Sequence, residues 1–180
     1  KQPELMDIFN DAINIFLSYM IEVFPKSLWY QFVPGYIIYK RNLAVSGGVI
    51  DITALTIPLL KLIDFKTDDS SAGTSLSVEI SPSEWFATVT GMIKTRKSDN
   101  THIFHTMMYD AASGKPSICY LPNTFARAGL IYLSPHTPIV ENSATDLMTG
   151  GISQDGLRRI QRIAEAEARR FKSTEEVNLP

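Results

Sequence analysis

A chain of 180 residues with 44% hydrophobic and 20% charged residues has the size and composition of one folded domain and lies outside the range of disordered chains. Its formal net charge of −2 excludes a uniformly basic nucleic-acid binder, so any contact with a polyanion must be local. The single cysteine, Cys119, excludes an intrachain disulfide and cannot alone build a thiolate metal site, which suits a reducing, cytoplasmic or intracellular setting.

No apolar run is long enough for a membrane span. The most apolar segment, Leu5 to Phe24, is interrupted by Asp7, Asp11 and Glu22. A start at Lys1 rather than Met leads us to expect a trimmed or processed product. We expect a single domain over 1–172 and a tail over 173–180.

Along Pro3 to Phe24, Asp7, Asn10, Asp11, Asn14, Ser18 and Glu22 recur at spacings of mostly three and four, which draws one narrow polar stripe on a helix. The remaining residues, Phe9, Ile13, Phe16 and Met20 among them, cover more of the circumference than one core needs. Pro25 ends the helix. Leu28 to Val45 is read as two strands with Pro34-Gly35 between them. Thr56 and Pro58 mark the start of a short middle helix through Leu59, Leu60, Leu62 and Ile63.

Leu76, Val78 and Ile80 alternate with polar residues as in a half-buried strand. Trp85 to Thr95, Thr101 to Asp110 and Ser117 to Leu121 are read as three more strands, completing an antiparallel meander. Leu130 to Leu133 is expected to add an edge strand. The last helix runs from Gln154 to Lys172, with Ser153 as its cap and Asp155 in its first turn. This order predicts an α+β fold: a mostly antiparallel sheet packed against an N-terminal, a short middle and a C-terminal helix.

Local motifs for chemistry are weak. His102 and His105 stand three apart on a strand and therefore face opposite sides, which argues against a shared zinc. Cys119 beside His102 or His105 would be a nucleophile pair, but a lone cysteine between Ile118 and Tyr120 fits a small buried hydrophobe better. Ser113-Gly114-Lys115 lacks the upstream glycine and the following helix of a phosphate loop and is read as a hairpin turn. Asp68, Asp69, Ser70 and Ser71 match no calcium loop. Gly150-Gly151 could offer amides to an anion, and is more simply a loop-to-helix joint. No cofactor or metal is expected.

Two surfaces stand out. The broad apolar face of the first helix, through Phe9, Ile13, Phe16 and Met20, is a candidate for self-association. Its plainer reading is a helix wrapped by its own fold. Between Leu157 and Lys172 on the last helix, Arg158, Arg159, Arg162, Arg169, Arg170 and Lys172 stand against Glu165 and Glu167 alone, a local charge of +4 within a chain of −2. That asymmetry suits contact with anionic lipid, nucleic acid or an acidic protein, unless Glu165 pairs Arg162 and Arg169.

The expectation is a non-enzymatic matrix-, coat- or scaffold-like protein that forms homo-oligomers and meets an acidic surface with its last helix. The alternatives are an apolar ligand pocket lined by Trp85, Phe86, Met92, Phe104 and Met107, and an enzyme centred on Cys119 or His105.

Overall fold

The computed structural model describes residues 5–45, 47–67, 76–90, 102–110, 112–121, 125–139 and 151–177. In chain order these form α1 (Leu5–Val23), α2 (Lys26–Phe32), β1 (Ile37–Ala44), β2 (Val49–Asp51), β3 (Lys61–Thr67), β4 (Leu76–Glu79), α3 (Pro82–Val89), β5 (His102–Tyr109), β6 (Pro116–Leu121), β7 (Arg127–Leu133) and α4 (Gln154–Val177). The protein is α+β, with an N-terminal, a short middle and a C-terminal helix and mostly antiparallel strand pairing. No helix among the described residues is long and apolar enough to cross a membrane.

Two compact units emerge. Lys1–Ile37 and Pro135–Pro180 form a helical unit, and Ile38–Ser134 forms a β unit.

In the helical unit, α1 packs against α4 through Ala12, Ile13, Phe16, Leu17 and Met20, all buried. The segment after Pro25 is a helix rather than the expected strand. Trp29, Phe32 and Val33 recur at helical spacing and are buried together, and the Trp29 indole N–H donates to the Phe24 carbonyl at 3.0 Å. Phe32 meets Phe16 edge-on at 6.2 Å and Phe24 at 5.4 Å, so α2 is anchored by aromatic packing despite its seven residues.

The β unit holds two sheets, in the orders β1-β7-β3 and β2-β6-β5-β4. One core joins them: Leu62 and Phe65 from β3, Leu130 and Tyr132 from β7, Ile103 from β5, and Ile118 and Tyr120 from β6. The sequence reading of residues 56–63 as a helix fails for a specific reason. Strand pairing shifts between Leu62 and Asp64, and the extra residue brings Leu62 and Phe65 to the same buried face although they are three apart. A bulged strand thus carries a helix-like spacing.

The middle helix lies instead at Pro82–Val89, where a strand was expected from Trp85. Ser81 accepts from the Glu84 amide, the Glu84 carboxylate accepts from the Ser81 amide, and Pro82 opens the first turn. With a helix between them, β4 and β5 pair in parallel rather than as a meander. β7 is the central strand of its sheet, not an edge, because β1 and β3 flank it. The turn at Ser113-Gly114-Lys115 is the hairpin expected, closed by Asp110 N–H to the Lys115 carbonyl and Gly114 N–H to the Asp110 carbonyl, with Gly114 at φ +67°.

Candidate functional site

The C-terminal helix is the best-built charged surface. Its start is fixed as the sequence predicts: the Gly156 amide donates to Ser153 Oγ at 3.1 Å, and Asp155 sits in the first turn. The Ser153 amide donates to the Phe32 carbonyl at 2.9 Å. Gly156 is pressed so closely on α2 that a Cβ there would lie 2.5 Å from the Phe32 carbonyl oxygen. Ile160 and Ala164 continue the buried side of α4.

Arg158, Arg162, Glu165, Arg169 and Lys172 follow one another at spacings of four, three, four and three, and all are exposed. At 100° per residue they fall within a sector of about 80°, on the side away from Gly156, Ile160 and Ala164. Arg158 meets Asp155 at 3.6 Å, a pair largely in water and worth a few tenths of a kcal/mol at most. Glu165 does not neutralise its neighbours. Among the described residues Arg162, Arg169 and Lys172 form no ion pair.

The other two cations behave differently. Arg159 lies over the rings of Phe24 and Phe32, with its guanidinium carbon 5.3 and 4.9 Å from their centroids, and so fastens α4 to the aromatic cluster beneath it. Arg170 sits off the row and reaches Glu167 at 3.9 Å. Of the six cations singled out in the sequence, four thus form the outward row.

The N-terminal helix corrects the other surface reading. Ile13, Phe16 and Met20 are buried and Phe9 is partly buried, so these residues are core rather than contact surface, because α4 covers the face they share. The apolar side chains that α1 does expose are Leu5, Ile15, Tyr19 and Val23. Ile15 and Tyr19 border the polar stripe, which is the signal that distinguishes them in the sequence. Asp7, Asp11, Asn14, Ser18 and Glu22 of the predicted stripe are all exposed, whereas Asn10 is partly buried and turned to Ile139.

A hydrogen-bonded chain that the sequence reading missed joins Tyr36, His136 and Asn10. The Asn10 amide clasps Ile139, donating Nδ2–H to its carbonyl at 3.0 Å and accepting its N–H on Oδ1 at 2.9 Å. Oδ1 also lies 2.8 Å from His136 Nε2, and as it can only accept there, Nε2 carries the proton. Nδ1 is then free to accept from the Tyr36 hydroxyl at 2.9 Å. Burial pushes the His136 pKa below its ordinary 6.5 and the Tyr36 pKa above its ordinary 10.0. Both imidazole nitrogens are occupied, so this neutral ring acts as a fastening between α1 and the segment before residue 140. His136 stands alone in the sequence, and nothing near it marks its distant partners.

The candidate nucleophile pair is not assembled. Cys119 lies across from Thr106 whereas His105 lies across from Tyr120, which sets the thiol and the His105 ring on opposite faces of the sheet. His102 shares the face of Cys119 but sits four residues along β5 from its cross-strand partner, about 13 Å away. Burial raises the Cys119 thiol pKa, the reverse of activation. His105 is buried against Phe65 at 5.7 Å, with Ser77 Oγ 3.1 Å from Nδ1. His102 and His105 face opposite ways as expected, and no group of three metal-ligating residues occurs among the described residues.

The expected pocket lining also disperses. Trp85 and Phe86 lie on α3, with Phe86 62% exposed, and Phe104 and Met107 point to opposite faces of β5. Met92, the Asp68 to Ser71 turn and Gly150 lie outside the described residues. Gly151 is a structural joint, at φ +87° against the backbone of Gly35.

No protein-family model matches the chain, and no curated protein matches it.

Proposed function

We propose that this protein is a non-enzymatic assembly component, of the matrix, coat or scaffold type, that docks on an acidic surface through the outward row of α4. The observation that carries this reading is the row itself. Arg162, Arg169 and Lys172 point away from the buried side of their helix without an ion pair among the described residues, so their charge is available to a partner. The dispersal of Cys119 and His105 onto opposite faces supports a binding role over a catalytic one. The lone buried thiol suits an intracellular setting.

The test uses the full chain at low salt. Light scattering measures self-association, and titration of a fluorescent single-stranded DNA and of phosphatidylserine vesicles measures contact with other polyanions. At least one association is expected. It should weaken at about 1 M salt, where the Debye length falls to about 3 Å, and should be lost in a variant carrying Arg162→Glu, Arg169→Glu and Lys172→Glu. A chain that remains monomeric and binds neither probe is not an assembly component of this kind.

A further inference from the structure

Resting on that reading, we infer that the acidic surface met by the α4 row is the outer face of α1 on a second copy of this chain, so that the helical units join head to tail.

The two faces are counterparts in charge. Between Leu5 and Val23 there is no lysine or arginine, and the exposed stripe carries Asp7, Asp11 and Glu22. It occupies a sector of about 80°, the same as the α4 row. The faces also match in length: Asp7 to Glu22 spans about 22 Å and Arg158 to Lys172 about 21 Å, at 1.5 Å per residue. Each has its charges toward the two ends. The Asn14 and Ser18 stretch on one corresponds to Glu165 on the other, so like charges need not oppose each other at the centre.

Ile15 and Tyr19, 42% and 47% exposed, border the acidic stripe and add apolar area to the contact. This component separates the face from a merely solvated acidic helix.

The direction of growth follows from packing. α1 and α4 bury their apolar sides toward each other, and the charged face of each is on the far side of its own helix. The acidic and basic faces therefore point away from each other across the helix pair. One copy cannot satisfy both of its faces with the same partner, so the contact is heterologous and leaves an uncovered acidic face at one end of every open oligomer and an uncovered basic face at the other.

Sedimentation velocity of the full chain tests this with two charge-reversed variants, one carrying Arg162→Glu and Arg169→Glu, the other Asp11→Lys and Glu22→Lys. All four positions are exposed, and circular dichroism checks that both variants fold. The unaltered chain should grow with concentration at low salt and revert to monomer at about 1 M salt. Each variant alone should stay monomeric. Charge reversal makes both faces acidic in the first variant and both basic in the second, so their mixture should grow by alternation, and all four changes in one chain should likewise restore growth. Growth of either variant alone, or a mixture that stays monomeric, overturns the inference. An unaltered chain that stays monomeric yet binds the DNA or the vesicles through Arg162 and Arg169 also overturns it while leaving the docking role of α4 standing. Failure of every association removes both.

Discussion

The Gly35 amide donates to the Gly151 carbonyl at 2.8 Å, and the two backbones are so close that a Cβ on Gly151 would lie 2.2 Å from the Gly35 Cα. This contact fixes the chain just before α4, and it requires glycine twice over, for space and for φ +87°.

Gly151→Ala is therefore expected to destabilise the helical unit by about 3 kcal/mol, combining backbone strain with a clash that no side chain can relieve. Gly114 provides the control. It has φ +67° but nothing within 4 Å of its Cβ position, so Gly114→Ala should cost about 1 kcal/mol. Urea denaturation followed by tryptophan fluorescence measures both, and equal losses would contradict the close-packing account.

Stability should also depend on pH through His136. Its pKa is held below 6.5 in the folded chain, so the unfolded chain binds a proton more readily. The contribution is complete above about pH 6.5 and is lost as pH falls through that value toward the folded pKa. In His136→Gln the slope of stability between about pH 5 and 7 should flatten. An unchanged slope would mean that the ring titrates as freely folded as unfolded.

The capping box of α3 gives a local prediction. Ser81→Ala removes the acceptor for the Glu84 amide and should cost about 1 kcal/mol, and Glu84→Ala a similar or smaller amount. In a double-mutant cycle the two losses should be less than additive because they break one reciprocal arrangement. Full additivity would show that the two bonds act independently.

Cys119 should be nearly inert. Being 5% exposed with a raised pKa, it should react with a thiol reagent at neutral pH at a rate limited by opening of the β unit. Denaturant should accelerate the reaction strongly. A fast reaction in native buffer would restore the case for a nucleophile.

The sequence by itself determined what depends on near neighbours. The polar stripe of α1, the Ser153 start of α4, the strand at Leu76–Glu79, the Gly114 hairpin and the opposed faces of His102 and His105 are set by spacings within a few residues, and each stands in the fold. The basic row of α4 was legible for the same reason. The capping signal of α3 is present in the sequence as Ser81-Pro82-Ser83-Glu84, next to an aromatic pair, Trp85-Phe86, of strand-favouring residues.

Tertiary structure alone decided the rest. The bulge after Leu62 arises from pairing with a strand more than sixty residues away, and it turns a helix-like spacing into a strand. Whether Ile13, Phe16 and Met20 form a surface or a core depended on α4 packing over them. Tyr36, Asn10 and His136 meet across separations of 100 and 126 residues, a convergence that local periodicity cannot encode. Side-chain direction along an element is a local property of the backbone, but what lies opposite each side chain belongs to the packing of the whole chain.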